Sequence, residues 1–353
     1  MKEKLVRVGF VGAGENTRRR HIPGFRAQPG VELVSVANRS VESARRVSQE
    51  YGIPRVFDNW RDLVNDPGID AVCVGTWPNL HCEVTVAALN AGKHVLCEAR
   101  MARNAHEAHQ MLMAAQAHPG LIAQVVPSPF GLMHDRYLRK LIDDRYLGEL
   151  REVVVISADD AAWDYTQLLH WRQEIEISGF NMLTLGIMHE TVSRWTPPTI
   201  RVFAQTRIFE PRRPGRESQG QVDVSVPDSV QVLTNLEGGA RGIYHISGIT
   251  LFGPGRQITL YGSRGTLRWS LRGDQELVEL ARAGETALKP LELPPEKLGG
   301  WRVEEEFISA VRGLERVTRT DFSTGLKYME FTEAVARSSA LNHPVDLPLK
   351  ALT

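Results

Sequence analysis

Between Val8 and Val126 six short apolar runs of strand length alternate with helix-forming segments, and that rhythm leaves few folds open. The runs are Val8–Val11, Val31–Ala37, Arg55–Phe57, Ile69–Gly75, Lys93–Cys97 and Leu121–Val126. Between them lie an amphipathic helix over Val41–Tyr51 closed by Gly52 and Pro54, a short helix over Asp62–Asp66, a helix running through Ala91 to Gly92, and a helix over 104–117. Strands separated by helices predict a doubly wound parallel sheet, in which ligands lie at the carboxyl ends of the strands.

The first strand breaks into Gly12-Ala13-Gly14-Glu15-Asn16-Thr17 and then into Arg18-Arg19-Arg20-His21. Gly12 allows a tight turn, and Gly14 lets the backbone approach a pyrophosphate seated on the first N–H groups of the next helix. Thr17 stands where a third glycine or alanine is usual, and it is small enough for helix and strand to pack closely. The second strand ends about 20 residues on, at Asn38-Arg39-Ser40, where such a fold reads the adenosine ribose. An acid there would repel a 2′-phosphate, whereas Asn38 does not and Arg39 and Ser40 can contact it. The cofactor reading is therefore NADP or NAD, with NADP favoured.

Past Pro127-Ser128-Pro129 the pattern changes. A helix over 134–146 is followed by Arg151–Ser157, Arg201–Phe209, Val230–Asn235, Gly242–Ser247, Gln257–Tyr261 and Thr266–Leu271, strand patterns joined by turns such as Glu237-Gly238-Gly239. They predict a large, mostly antiparallel open sheet. Residues 210–221, rich in Pro, Arg and Gly, read as a mobile loop, and helices over 302–315 and 323–340 close the chain. With 353 residues there is material for two α/β domains, placed at 1–126 and 127–353. The formal net charge of zero gives no field favouring nucleic acid or an anionic membrane, and points to a small-molecule partner. Cys73, Cys82 and Cys97 show neither disulfide nor zinc spacing. No export signal or membrane span is read, so the expectation is a cytoplasmic protein.

These residues resemble the glucose–fructose oxidoreductase, inositol dehydrogenase and rhizopine-catabolism (Gfo/Idh/MocA) oxidoreductases. The resemblance rests on the glycine turn with His21-Ile22-Pro23, on Asp70-Ala71-Val72 with Pro78 and His81, and on Gly92-Lys93-His94-Val95-Leu96-Cys97-Glu98. Trp171-Arg172, Gly186, Arg194-Trp195 and Gly262-Ser263-Arg264-Gly265-Thr266-Leu267 extend it over nearly the whole chain. It implies a Rossmann NAD(P)-binding domain, a substrate-binding and oligomerisation domain, a homodimer or homotetramer built through the sheet, and a sugar or polyol substrate. It also implies departures: the usual Glu-Lys-Pro is Glu98-Ala99-Arg100, and the usual Asp-x-Gly-x-His aligns with Thr184-Leu185-Gly186-Ile187-Met188. Ala99, Thr184 and Met188 cannot move a proton near neutral pH.

The resemblance places Thr76, Trp77, Pro78, Asn79 and His81 along the dinucleotide, Glu98 beside its nicotinamide ribose, and Arg100 where it can polarise a carbonyl. Asn79 also precedes a helix and suits a cap. With the usual acid/base residues gone, His189 becomes the first candidate base, provided a local bulge turns it inward. Asp164, His170 and Arg172 follow, in the polar-aromatic segments Trp163-Asp164-Tyr165 and His170-Trp171-Arg172, which suit a sugar or equally a packed loop. His106 and His109 have no third ligand in view, so no metal site is read. The leading expectation is an NAD(P)-dependent oxidoreductase acting on a sugar or cyclic polyol with atypical acid/base residues. A redox-neutral glycoside-cleaving or lyase enzyme with tightly held cofactor and a non-catalytic ligand-binding paralogue stand as alternatives.

Overall fold

A computed structural model describes residues 4–216 and 220–350, which divide into two compact units. The first comprises residues up to Pro127 together with Arg302–Met329; the second comprises Ser128–Trp301 and the chain from Glu330.

In the first unit β1 (Val6–Val11), β2 (Val31–Ala37), β3 (Arg55–Phe57), β4 (Ala71–Val74), β5 (His94–Cys97) and β6 (Ala123–Val125) form one parallel sheet in the order β3-β2-β1-β4-β5-β6. The order reverses between β1 and β4, the switch point at which doubly wound sheets open a ligand crevice. The linking helices are α1 (Ile22–Arg26), α2 (Val41–Tyr51), α3 (Trp60–Asn65), α4 (Pro78–Asn90) and α5 (Ala105–Ala117). Local chemistry sets their ends: Ser40, Asn59 and Asn104 accept backbone N–H groups at the starts of α2, α3 and α5, and Gly52 closes α2 at φ +61°. Both faces of the central strands are covered, so β4 is buried at all four positions, including Val72 and Val74.

The second unit begins with α6 (Asp135–Asp143), β7 (Leu150–Ala158), α7 (Ile175–Ser178) and α8 (Leu185–Ser193). It continues through β8 (Thr199–Arg207), β9 (Arg212–Pro214), β10 (Gln221–Asp223), β11 (Ser229–Leu236), β12 (Arg241–Ser247), β13 (Gly255–Gly262), β14 (Gly265–Arg272), β15 (Gln275–Arg282) and β16 (Lys289–Pro290). After α9 (Val303–Val311) and α10 (Phe322–Leu341), β17 (Val345–Asp346) joins the sheet edge. Nine strands lie in the order β16-β15-β14-β13-β7-β12-β11-β8-β17, antiparallel throughout except for the pair β7 and β12. One face buries Val155, Val232, Tyr244, Ile258 and Trp269 in a core shared with Leu138, Met188, Phe331 and Val335.

Two expectations need correction. Residues 302–329 belong to the first unit rather than continuing the second, because α9 buries Val303, Phe307 and Ile308, with Phe307 meeting Phe25 edge-on at 6.0 Å between ring centroids. The segment read as a mobile loop holds the antiparallel pair β9 and β10, and Arg213 in β9 is buried; residues 217–219 lie outside the described residues.

Candidate functional site

The glycine turn of the first unit is built as its sequence requires. Gly12 sits at φ +84°, and a Cβ there would come within 2.6 Å of the Thr76 backbone nitrogen, so β1 and the end of β4 can approach only through glycine. Gly14 is exposed, and a Cβ added to it would meet only the Gly75 carbonyl oxygen, 3.8 Å away. That open ledge fits a phosphate group approaching the backbone. Glu15 and Asn16 beside it are exposed. The next turn, Thr17–His21, is a π-helix, with buried Thr17 donating to the Gly12 carbonyl oxygen at 3.3 Å.

The end of β2 is tied to the glycine turn. The Asn38 Oδ1 accepts from the Ala13 N–H at 2.7 Å and its Nδ2 donates to Ser43 Oγ at 3.0 Å, so Asn38 braces the glycine turn. Ser40 caps α2. Arg39 is exposed, with its guanidinium 5.7 Å from the centre of the Trp77 ring.

Beyond β4, Thr76 Oγ1 donates to the Trp77 carbonyl, and Trp77 precedes α4, which starts at Pro78. Asn79 is therefore inside the helix and is not its cap; its Oδ1 is buried without a hydrogen-bond partner among the described residues. His81 is fully enclosed, with Nδ1 2.9 Å from the Arg100 carbonyl oxygen and Nε2 3.0 Å from that of Thr76, and burial lowers its pKa. Its ring fastens the end of β4 to that of β5 and does not line a surface. Arg100, the residue placed where it can polarise a carbonyl, is likewise buried.

Glu98 follows β5. Its Oε1 accepts from Asn16 Nδ2 and lies 2.9 Å from His21 Nε2, and its Oε2 accepts from the Ala99 N–H at 3.0 Å. The His21 Nδ1 lies 2.5 Å from Glu304 Oε1 on α9. Burial opposes a charge on His21, but the Glu98 charge and the hydrogen bonds that the ring donates to both carboxylates outweigh it and raise the pKa to about 9. The sequence reading missed Glu304. Its only signal is a carboxylate set between Val303 and Phe307 in a helix whose first turn also carries Glu305 and Glu306, an arrangement ordinarily explained by the helix dipole.

In the second unit the acid/base candidates scatter. His189 is buried, its ring stacked on Phe331 at 3.5 Å with 3° between planes and its Nδ1 2.9 Å from the Tyr244 hydroxyl. Desolvation drives its pKa down to about 3, so the expected base titrating near neutrality is a neutral core residue. No bulge intervenes, because α8 is regular across Leu185–Ser193. Thr184 Oγ1 donates to Ser157 Oγ at 2.7 Å, and Met188 is wholly buried. Asp164 forms a turn, accepting from Thr166 N, Thr166 Oγ1 and Gln167 Nε2 at 2.6–2.9 Å; these bonds, those of Thr166 first, hold its carboxyl below the ordinary range. Exposed His170 accepts the Arg172 N–H at Nδ1, 3.2 Å away, and is shifted down by desolvation and then by Arg172 and Arg216. Arg172 stacks 4.2 Å above the Trp171 ring. Trp163 and Tyr165 are exposed in the same loop, which buried Arg213 pins by donating to the carbonyls of Ala162 and Asp164.

Among the described residues no group of three or more His, Cys, Asp or Glu side chains is placed to hold a metal, and no helix is long and apolar enough to cross a membrane. The family model described as "Oxidoreductase family, NAD-binding Rossmann fold" matches residues 6–125, and that of the GFO/IDH/MocA C-terminal domain matches residues 136–268. The chain belongs to the Gfo/Idh/MocA oxidoreductase family. Within it, 1,5-anhydro-D-fructose reductase of Ensifer adhaerens is 41% identical over 112 residues, 32% of this chain and 33% of that protein. The alignment thus spans only about a third of that relative. Levoglucosan dehydrogenase of Pseudarthrobacter phenanthrenivorans is 24% identical over 305 residues, 80% of this chain and 76% of the other. Among solved structures, levoglucosan dehydrogenase in complex with NADH and L-sorbose superposes with a TM-score of 0.86 at 20% identity, covering 98% of this chain and all of that one. That likeness agrees with a Rossmann sheet followed by a large open sheet.

Proposed function

We propose that this Gfo/Idh/MocA protein is an NAD(P)-dependent oxidoreductase acting on a sugar or cyclic polyol. The observation that carries the cofactor half of the reading is the open ledge at Gly14, set at the switch point of a parallel sheet with Asn16, Asn79 and Glu98 around the same strand ends. The N–H groups from Gly14 onward would hold the pyrophosphate, that of Ala13 being donated to Asn38, while the orphan Asn79 Oδ1 would accept a donor and Glu98 would face the nicotinamide half. Bound there, a nicotinamide dinucleotide supplies a hydride acceptor or donor at C4.

Exposed Arg39, beside Trp77 and next to uncharged Asn38, supports NADP over NAD. The substrate class is drawn from the relatives named above and from the exposed aromatics Trp163 and Tyr165, which suit stacking on a sugar ring. Among the titratable groups of that loop in the second unit, His170 supports the reading best: its Nδ1 accepts a backbone N–H, so the neutral ring carries its proton on Nε2 and would donate a hydrogen bond from there to a substrate oxygen. Asp164, earlier in the chain, and Arg172, whose N–H His170 accepts, would serve as hydroxyl-binding groups.

A redox-neutral variant, in which the cofactor stays bound and a neighbouring C–O bond is cleaved, is favoured by Thr184 and Met188. One is bound to Ser157 and the other packed in the core, so neither moves a proton. Calorimetric titration with NAD(H) and NADP(H), followed by a sugar and polyol screen read at the nicotinamide absorbance, tests the proposal. Net absorbance change supports the oxidoreductase, substrate cleavage without it supports the variant, and no dinucleotide binding refutes both. We further propose a homo-oligomer formed through the open face of the nine-stranded sheet, where Leu233 and Ile243 lie paired and exposed.

A further inference from the structure

Two carboxylates, half-buried Glu98 at the end of β5 and buried Glu304 on α9, grip the two nitrogens of one imidazole. Side-chain exposure is 13% for Glu98, 4% for Glu304 and 0% for His21, so water does little to offset the charges. A neutral imidazole has one N–H and could satisfy only one of these acceptors. Donating to both requires the imidazolium, which leaves the trio with a net charge of −1.

The backbone is adapted to this contact at two further places. The π-turn over Thr17–His21 inserts an extra residue into the helix, burying His21 while Arg18 and Arg19 remain exposed. Gly24, one turn on, is where a Cβ would stand 2.6 Å from the Glu304 carboxyl carbon. The trio is also tied to the glycine turn, since Asn16 donates to the same Glu98 oxygen that faces His21. In the sheet order β3-β2-β1-β4-β5-β6 the dinucleotide crosses at β1 and β4, so a residue ending β5 falls on the half opposite the β2 adenosine site.

We propose that His21 and Glu304 are positioning residues for Glu98: the three side chains form a buried relay that holds the Glu98 carboxylate charged and oriented toward the nicotinamide half of the dinucleotide site, and thereby couples cofactor affinity to the protonation of His21. The inference rests on the dinucleotide reading above. The charged groups facing His21 include Glu98 from β5 and Glu304 from α9, and the Cys73 thiol on β4 is kept neutral by burial and by both carboxylates.

Glu304→Gln preserves shape while removing one of the two charges that keep His21 protonated. In the wild type, affinity for NAD(H) or NADP(H) should stay flat from pH 6 to 8 and fall as pH passes about 9. In Glu304→Gln the fall should move toward neutrality, so that the two proteins bind alike at pH 6 and differ several-fold at pH 8. A loss of equal size at every pH would mean that Glu304 is only a packing group, and no loss would mean that Glu98 does not depend on it; either result overturns the relay. Nitrogen-15 spectra of histidine-labelled wild-type protein, with the His21 signal assigned by its disappearance in His21→Gln, give a measurement independent of ligand and of the folding of Glu304→Gln. Both ring nitrogens should be protonated at pH 7.5; a neutral tautomer there overturns the relay even if dinucleotide binds. Failure of the wild type to bind any dinucleotide removes the cofactor coupling and the functional reading together, and leaves these spectra to decide the His21 charge.

Discussion

At the scale of single residues, burial separates side chains that look alike in sequence. His189 and His170 both read as acid/base candidates, yet one is stacked in the core on Phe331 and the other lies in an exposed loop. His189→Ala should therefore act on stability before activity. It opens a cavity beside Phe331 and leaves the buried Tyr244 hydroxyl without its partner, at a cost of about 2–4 kcal/mol. Denaturant melts should show this loss, whereas a folded protein of unchanged midpoint with abolished turnover would return His189 to the chemistry. The two glycines of the turn divide in the same manner. Gly12→Ala meets the Thr76 nitrogen and a φ of +84°, and should lower stability by at least about 1 kcal/mol as well as dinucleotide affinity. Gly14→Val projects into open space and should leave the melting midpoint near wild type while abolishing dinucleotide binding. Unchanged affinity in Gly14→Val would show that the ledge is not a phosphate site.

At the scale of elements, what the sequence could reveal depended on how far apart the cooperating residues lie. The helix over 41–51, with Ser40 before it and Gly52 after it, is legible because its start and stop signals are local. The same holds for β11, whose buried and exposed positions alternate. β9 and β10 were unreadable because their three-residue strands lie in a segment rich in Pro, Arg and Gly with no apolar run and no flanking helix to mark them, and their ordering comes from Arg213 reaching the carbonyls of Ala162 and Asp164, about 50 positions back. The His21–Glu304 contact spans 283 positions and joins a glycine turn to a helix near the end of the chain, which no local pattern announces. That contact makes a thermodynamic prediction of its own. His21 titrates near its ordinary value of about 6.5 when unfolded and at about 9 when folded, so its stabilising contribution is complete below pH 6.5 and lost as pH rises through 9. The shift corresponds to something on the order of 3 kcal/mol. The thermal midpoint should decline between pH 7 and 9.5, and His21→Gln should flatten that decline; equal slopes in both proteins would mean that His21 is not the titrating group.

At the scale of the whole molecule, two α/β units and their boundary near residue 127 were legible from the switch in strand–helix rhythm, while the return of 302–329 to the first unit was not, since a helix carries no mark of the sheet it packs on. The rhythm does predict that the second sheet has one face left over. One face is filled by the core around Tyr244 and Trp269. On the other, a cross-strand row runs Phe203, Leu233, Ile243 and Val154 along β8, β11, β12 and β7, with Leu233 and Ile243 55% and 52% exposed. Beyond Thr259 the row ends in the pair Arg268 and Glu279 on β14 and β15. Strands of seven to nine residues from β14 to β8, spaced about 4.8 Å apart and rising about 3.3 Å per residue, present roughly 700 Å². That is near the about 800 Å² per partner of a stable interface. The apolar centre with a charged edge is the composition expected of a face that meets a second copy. Sedimentation velocity should find the wild type as a dimer or tetramer at micromolar concentration. Leu233→Glu, which places a charge at the centre of the row without touching the core, should shift it to a smaller species with its fold retained. A wild type that sediments as a monomer, or a Leu233→Glu variant of undiminished size, would mean that this face is left to solvent.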